Sequence, residues 1–284
     1  MKYGFNLLLW TGHVTDDHMP KLKVLKRTGY DSVEVPIFEG TPDSYARLGE
    51  QLAEMGLDVT AVSVLGAGHN PLSDDKMERQ AAVERTKWVI DCTKALGGSI
   101  IAGPMHSELG CFTGKGPTAG ERKRGIEFHH RVGDHAGKYA VRFALEAVNR
   151  FECYFLNTME QLASYLDEVD HSAIKGMYDT FHANIEEKEP VAAVNTIKRH
   201  MIHVHISEND RGAPGKGHVP WGPTYKALRA AKYDGRLTIE AFGRAVPALA
   251  AATRVWRDFF SNEEEVYQFG LKSMQQGWAE AGRG

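Results

Sequence analysis

Three carboxylates and one histidine recur along the second half of the chain at intervals close to one strand-plus-helix unit. In order they are Glu146, Asp179, His205 and Glu240, separated by 33, 26 and 35 residues. Each closes a short apolar run of the kind that forms a buried strand. A single residue of this type is usually solvated, but phased recurrence after four consecutive strands favours a shared site. Three carboxylates and an imidazole are ligands for one divalent cation. This oxygen-rich set suits Mn²⁺, Mg²⁺ or Co²⁺ better than a thiolate-type zinc site does.

The elements that must position these residues alternate regularly along the chain. Eight short apolar or β-branched runs, such as 31–38 and 58–66, alternate with eight amphipathic stretches, such as 41–56 and 118–139. This pattern predicts an α/β protein that forms a single (β/α)₈ TIM barrel domain over residues 1–284, including a helical C-terminal tail that reaches about residue 280. A doubly wound open sheet is the alternative, but the first turn, "LWTGHV", lacks the G-x-G-x-x-G phosphate loop.

Strand 7, "MIHVHIS", offers two candidate histidines for the metal. His203 and His205 lie two residues apart, so they point to the same face of the strand. In a barrel the site lies at the C-terminal rim, and His205 is nearer to that rim. We therefore predict that His205 is the ligand and that His203 belongs to a deeper layer of the barrel.

Composition excludes several classes of partner. The formal net charge of −3 gives no field for nucleic acid, and no apolar run is long enough to span a bilayer. The N-terminal run "FNLLLW" is too short for a signal-peptide core. The three cysteines, Cys92, Cys111 and Cys153, are scattered and odd in number, which indicates a reducing compartment. A cytoplasmic protein is the expectation.

Four motifs in the second half of the chain carry a family resemblance. They read "LEAVNRFE", "DTFHANIEE", "HVHISENDRGAPGKGHVPW" and "TIEAF". Together they resemble the ketose 3-epimerases, which include the D-tagatose, D-allulose (psicose) and L-ribulose 3-epimerases of the xylose-isomerase-like barrel superfamily. The motifs that carry the resemblance lie within residues 143–242. In the first half of the chain, only the alternating strand-and-helix architecture is shared.

The resemblance implies an isomerase of carbohydrate metabolism, with roles for particular residues. It implies one Mn²⁺ or Co²⁺ held by the four ligands named above, with Glu146 and Glu240 also acting as the acid/base pair. It places substrate contacts at Glu152, His182 and Arg211. It also implies a free ketose as substrate, of the D-allulose/D-fructose, D-tagatose/D-sorbose or L-ribulose/L-xylulose type, and a homo-oligomer, either a dimer or a tetramer.

The chemistry of C3 epimerisation agrees with this assignment. Removing a proton from a carbon next to a carbonyl is difficult at neutral pH, and a metal at the carbonyl stabilises the enediolate. One carboxylate takes the proton and a second acid on the opposite face returns one. Glu146 and Glu240 close strands 5 and 8 across the barrel mouth, so we expect them to flank C3. The sequence shows no phosphate cradle apart from a candidate anion nest in "RGAPGKG", with Arg211 and Lys216.

Three residues of the first half have less certain roles. Trp10 at the expected end of strand 1 is predicted to form an apolar wall against the sugar, although a core position is an equal alternative. His69 and His106 end strands 3 and 4 or lie just beyond them. They could line the pocket, ligate a second metal, or do neither.

Other functions remain open at this point. The metal-dependent apurinic endonucleases of the same superfamily use a trinuclear zinc cluster, which His69, His106 and His182 could partly form. Hydroxypyruvate-type aldose–ketose isomerases and inosose dehydratases reuse a similar metal site. A sugar-binding barrel without catalysis is disfavoured, because a binder does not need two carboxylates flanking one carbon.

Overall fold

The computed structural model describes residues 1–283 and forms a closed barrel of eight parallel strands. Each strand pairs with the next along the chain, and the eighth pairs with the first. The eight strands are β1 Lys2–Asn6, β2 Ser32–Pro36, β3 Asp58–Val62, β4 Ile100–Gly103, β5 Arg142–Leu145, β6 Ile174–Asp179, β7 Met201–Ile206 and β8 Arg236–Ile239. The predicted (β/α)₈ barrel is confirmed, and Gly284, the last residue of the predicted domain, lies outside the described residues.

Helices cover the outside of the barrel and bury their apolar faces against the strands. They are α1 Met19–Thr28, α2 Pro42–Glu54, α3 Lys76–Ala95, α4 Ala119–Gly137, α5 Met159–Val169, α6 Thr180–Glu186, α7 Pro190–Ile197, α8 Trp221–Ala230, α9 Pro247–Ala252 and α10 Gly270–Glu280. Thr41, Thr118 and Thr158 begin α2, α4 and α5 with capping boxes, as threonines at helix N-termini commonly do. None of the helices described over residues 1–283 is both long and apolar enough to cross a bilayer.

The first strand is shorter than the sequence predicts. It was expected to reach Trp10, but it ends at Asn6, whose side-chain oxygen accepts a hydrogen bond from the Leu8 backbone N–H at 2.9 Å. This contact starts a 3₁₀ turn over Leu7–Leu9. Trp10 therefore does not stand at the end of a strand.

The segment after β8 also differs from the prediction. It was expected to be a helical tail, but only α9, a π-helical turn at Glu265–Phe269 and α10 are helical there. Arg254 adopts a φ of 61°, which interrupts the helix just after α9. Ala250 and Val255 pack with Leu8, Val62 and Phe242, so apolar contacts hold this segment against the barrel. The sequence reading also missed the short helix α6, which follows β6 directly.

Gly103, the last residue of β4, holds a backbone position that the site depends on. Its φ is 119°, and its carbonyl accepts a hydrogen bond from the Glu146 backbone N–H at 3.2 Å. A Cβ atom at this position would lie 2.3 Å from the Ser63 carbonyl oxygen. Strand β4 thus needs a glycine both for its backbone angle and for space.

We expect Gly103→Ala to lower the free energy of unfolding by about 2–4 kcal/mol, since strain and a backbone clash combine. Gly97→Ala is the matched control, because Gly97 also has a positive φ of 86° but open space where a Cβ would lie. The control should lose only about 1–2 kcal/mol. Urea unfolding measures both, and equal losses would contradict the clash.

Candidate metal and sugar site

The four predicted ligands converge at the C-terminal ends of β5 to β8. Glu146, Asp179, His205 and Glu240 are all buried, and one donor atom from each lies within 4.8 Å of all the others. Nδ1 of His205 is at the centre of the set. It lies 3.5 Å from Glu146 Oε1, 3.4 Å from Asp179 Oδ2 and 3.3 Å from Glu240 Oε1. Residues far apart in the sequence are therefore neighbours in space, as the barrel predicts.

Strand register and the bonds just beyond the strands fix these side chains. Asp179 pairs with His205 across β6 and β7. Glu146 and Glu240 each lie one residue past a strand, and their backbone N–H groups extend the ladder to Gly103 and Ile206 respectively. Adjacent strand ends thus present their first polar side chains to the same point.

Asp179 carries a second task that orients its carboxylate. It is the N-cap of α6, and its Oδ1 accepts hydrogen bonds from the Phe181 N–H at 2.6 Å and the His182 N–H at 3.0 Å. Oδ2 faces His205 Nδ1 at 3.4 Å and accepts a hydrogen bond from the Arg211 guanidinium at 3.4 Å. Burial alone would raise the pKa of Asp179, but the charges of Arg211 and His205 hold it well below its usual range.

The carboxylates of the site carry more negative charge than the nearby positive side chains offset. Burial, together with the Glu240 and Asp179 carboxylates, raises the pKa of Glu146 to about 8. Glu146 Oε1 and His205 Nδ1 are buried without a hydrogen-bond partner. Burial lowers the pKa of His205, but Glu240 and Glu34 outweigh this and raise it well above its ordinary value. The carboxylates therefore select positive charge at this point, and the donor set fits a divalent cation such as Mn²⁺, Mg²⁺ or Co²⁺.

A carboxylate that the sequence reading missed lies beneath the ligand set. Glu34 in β2 is fully buried, and its Oε1 accepts a hydrogen bond from His205 Nε2 at 2.7 Å. His203 lies in this deeper layer, as predicted, with its Nε2 2.9 Å from Glu34 Oε2. The signal was available, because Glu34 stands in the middle of the buried run "SVEVP".

The three residues predicted to contact substrate lie together beside the ligands. Arg211 is buried, and its guanidinium contacts Glu240 Oε2 at 2.5 Å and His182 Nε2 at 2.9 Å. Its guanidinium carbon lies 3.8 Å from the Phe181 ring centre and 4.7 Å from that of Phe242. Arg211 also has a φ of 65°, a strained value for a residue other than glycine.

Glu152 is held on the loop after β5. Its Oε1 accepts a hydrogen bond from the Asn149 side chain at 2.7 Å, and its backbone carbonyl accepts one from the Gly110 N–H at 2.9 Å. Burial raises its pKa. The loop after β4 therefore supports the loop that carries Glu152.

These groups line one cavity of about 110 Å³ at the barrel mouth. Its walls are mostly apolar, and its polar groups come from the ligand and substrate-contact sets. The lining residues are Leu8, Phe38, Val62, Val64, Pro104, Leu109, Glu146, Val148, Glu152, His182, Arg211, Glu240, Phe242, Leu249, Ala252 and Thr253. A wider depression of about 590 Å³ lies beside α7, but its lining includes none of the four ligands. An apolar cavity with a few convergent polar groups is typical of a small-molecule site.

Trp10 is not brought to this cavity. Its ring stacks on Phe5 with centroids 5.0 Å apart and meets the edge of Tyr267 at 6.1 Å. The Lys21 ammonium lies 4.7 Å from the ring centre. Trp10 thus packs against the core, the alternative that the sequence left open.

The two uncertain histidines have different surroundings. His106 is buried, and its Nε2 donates a hydrogen bond to the Glu146 carbonyl at 2.9 Å, so it supports that residue's backbone. His69 lies on a loop with its Nδ1 3.1 Å from the Ala67 carbonyl. Of the groups of metal-binding side chains within residues 1–283, neither includes His69, His106 or His182. The described residues thus do not assemble the trinuclear pattern of the endonuclease alternative.

The chain belongs to the xylose isomerase-like TIM barrel family, whose profile matches residues 22–276. Two relatives are the ketose 3-epimerase of Arthrobacter globiformis and the probable ketose 3-epimerase of Synechocystis sp. The first is 30% identical over 271 residues, covering 94% of this chain and 93% of the relative. The second is 29% identical over 276 residues, covering 97% and 96%. Within the family, the chain is an isomerase of the carbohydrate 3-epimerase type.

Solved structures agree with this placement. An L-ribulose 3-epimerase superposes with a TM-score of 0.94 at 26% identity, covering all of this chain and 96% of that one. The D-allulose 3-epimerase from Methylomonas sp. in complex with D-allulose has a TM-score of 0.90 at 28% identity, covering 97% and 96%. The family resemblance seen in the second half of the sequence is confirmed over nearly the whole chain.

We expect the purified protein to bind one divalent metal per chain, and Mn²⁺ to raise its melting temperature because the ion binds the folded state. Asp179→Ala combined with His205→Ala should abolish both effects. Asp167→Ala combined with His200→Ala is the matched control, since these residues form a surface pair at 2.9 Å. Elemental analysis and calorimetry test this. Three metals per chain, or metal retained by the first double variant, would contradict the site.

Proposed function

We propose that the protein is a metal-dependent ketose 3-epimerase that inverts C3 of free ketoses by removing and returning a proton. The observation that carries this proposal is the pair of buried glutamates, Glu146 and Glu240, within one ligand set at the mouth of the barrel. A site that only bound a sugar or a metal would not need two bases at one carbon. The names of the relatives support the same reaction type.

The metal ligands would be Glu146, Asp179, His205 and Glu240. When bound, the divalent ion would draw electron density from the substrate carbonyl and so ease loss of the neighbouring proton. Mn²⁺ is our choice among the oxygen-preferring ions, with Co²⁺ or Mg²⁺ as alternatives.

Glu146 and Glu240 would exchange the proton at C3, each from its own side. Glu240 is held by two donors, Asn6 Nδ2 at 3.1 Å and the Arg211 guanidinium. Glu146 Oε1, in contrast, has no hydrogen-bond partner and belongs to the cavity lining. The two carboxylates thus come from strands β5 and β8, three strands apart around the barrel, and meet at the same small cavity.

His182 and Arg211 would hold substrate oxygens. Burial and the nearby Arg211 charge lower the pKa of His182 to about 3, so its imidazole is neutral. The Asn149 backbone N–H donates to His182 Nδ1 at 3.0 Å, and His182 Nε2 lies 2.9 Å from the Arg211 guanidinium. The guanidinium of Arg211 carries only donors, and a sugar oxygen is an acceptor for them. Glu152 would accept a hydrogen bond from a hydroxyl on the same wall.

The loop after β7 supports a free sugar over a phosphorylated one. The protein's own carboxylate enters the candidate anion nest, because the fully buried Glu208 accepts hydrogen bonds from the Gly215 N–H of the nest at 2.8 Å and from the Val219 N–H just after it at 3.0 Å. The Trp221 indole N–H adds a third at 2.9 Å. Lys216 extends instead to Glu265 at 3.5 Å. These N–H groups are therefore not available to a substrate phosphate.

A homo-oligomer and a cytoplasmic location remain part of the proposal. Exposed aromatic side chains support association with another copy, since Phe151 and Trp256 are 71% and 67% exposed. All three cysteines are free, which agrees with a reducing compartment.

We expect the protein to prefer free ketoses to ketose phosphates. Its kcat/KM should be higher for D-allulose and L-ribulose than for ribulose 5-phosphate or xylulose 5-phosphate. The reason is that within the candidate anion nest the Gly215 N–H is bound to Glu208 and the Lys216 ammonium faces Glu265. Steady-state kinetics with added Mn²⁺ measure this preference. Higher kcat/KM values for the sugar phosphates would overturn it.

For the position of proton exchange, we expect epimerisation in D₂O to place deuterium at C3 of the product and to leave C1 unlabelled. Glu146→Gln and Glu240→Gln should each lower kcat by on the order of 10²–10⁴-fold, because a positioned acid or base is lost. NMR of the products locates the label.

Metal content must be measured in both variants, because each change also removes a ligand. Glu39→Gln, at an exposed position after β2, is the control and should behave as wild type. Label at C1 or C2 with an aldose product would identify an aldose–ketose isomerase instead. A bound ketose without any label would identify a binding protein.

A further inference from the structure

Glu34 lies directly beneath the metal ligands, and both of its oxygens are saturated. Oε1 accepts hydrogen bonds from His205 Nε2 at 2.7 Å and Asn6 Nδ2 at 3.0 Å. Oε2 accepts one from Thr60 Oγ1 at 2.9 Å and lies 2.9 Å from His203 Nε2. A carboxylate with no solvent exposure needs such partners, and three hydrogen-bond donors, from β1, β3 and β7, supply them.

The contact with Glu34 decides which nitrogen of His205 faces the metal site. An ionised carboxylate only accepts hydrogen bonds, so His205 Nε2 must carry the proton. When a cation binds, Nδ1, which points to Glu146, Asp179 and Glu240, gives up its proton and offers its lone pair, while Nε2 keeps its proton on Glu34. The ring cannot turn without losing its 2.7 Å bond to Glu34.

Asn6 extends the same network to the second catalytic glutamate. Its Nδ2 donates to Glu34 Oε1 at 3.0 Å and to Glu240 Oε1 at 3.1 Å. Its Oδ1 accepts from the Leu8 backbone N–H, which fixes the amide so that the NH₂ group faces the two carboxylates. One buried network thus reaches both a ligand histidine and a ligand glutamate.

We propose that Glu34 is a positioning residue that fixes the tautomer and ring orientation of His205 and, through Asn6, the carboxylate of Glu240. This proposal rests on the metal site of the proposed function, but it does not depend on the C3 epimerisation reaction. Carboxylates that orient metal-bound histidines typically change metal affinity by 10–100-fold when they are lost.

A second metal held by Glu34, His203 and His205 is the competing interpretation, because donor atoms of these three residues also cluster. The contacts favour hydrogen bonding instead. The 2.7 Å between His205 Nε2 and Glu34 Oε1 is a hydrogen-bond length, and two ligands of one ion lie farther apart. Asn6 and Thr60 also use the lone pairs that an ion would need.

The test is metal binding by the full-length Glu34→Gln variant after EDTA treatment, with Mn²⁺ and Co²⁺ titrated in calorimetry and Co²⁺ followed by absorption. We expect one metal per chain in both proteins, a Kd weaker by about 10–100-fold in the variant, and an altered Co²⁺ spectrum. Glu34→Asp should recover part of the affinity. Glu121→Gln is the matched control, because Glu121 is also buried and hydrogen-bonded but caps α4 away from the site.

A measurement on the wild type keeps the test valid if Glu34→Gln does not fold. Long-range ¹H–¹⁵N spectra of the Mg²⁺-loaded protein should show His205 protonated at Nε2 and not at Nδ1. The opposite tautomer would overturn the proposal, as would an unchanged Kd and Co²⁺ spectrum in a folded Glu34→Gln variant. Two metals in wild type falling to one in the variant would establish the second metal site instead. Metal affinity that depends on Glu34 in a protein without epimerase activity would support this proposal while refuting the proposed function.

Discussion

Glu146, Asp179 and Glu240 bring three carboxylates into one buried site, and like charges held so close destabilise a fold unless positive charge offsets them. Arg211 and His205 supply part of that charge, and the N-terminus of α6 stabilises Asp179. What remains is an uncompensated oxygen on Glu146. Many of the residues at the barrel mouth therefore serve to offset the repulsion between these carboxylates.

The same constraint explains why Arg211 is held so firmly. Its guanidinium lies against the Phe181 and Phe242 rings and donates hydrogen bonds to Glu240 and Ser207. The hydrogen bonds that Glu208 accepts organise the loop that carries Arg211. The left-handed backbone of Arg211 is strained, and strain of this kind persists only where the surrounding structure fixes it. Apolar walls then strengthen each charge interaction, because little water remains to screen it.

The sequence was sufficient for the strand order and for the convergence of the four candidate ligands, because both follow from a repeating period that places polar residues at the ends of apolar runs. It could not reveal Asn6, whose role depends on a side-chain bond to Leu8 that ends β1 early and moves Trp10 away from the mouth. Glu34 was visible as a charge in a buried strand, but its partners lie up to 171 residues away. The segment around α9 was also unpredictable, since tertiary apolar contacts override its helical composition.

The loop after β4 is bonded to the parts of the site that would do the chemistry. His106 supports the backbone of Glu146, and Gly110 supports that of Glu152. Barrel loops are often regarded as exchangeable parts that alter specificity while the strand ends keep the reaction. In this protein the loop after β4 and the residues at the end of β5 cannot vary separately, because hydrogen bonds join them. A change in this loop would also move Glu146, the proposed base, and Glu152, so neighbouring loops would have to diverge together during evolution.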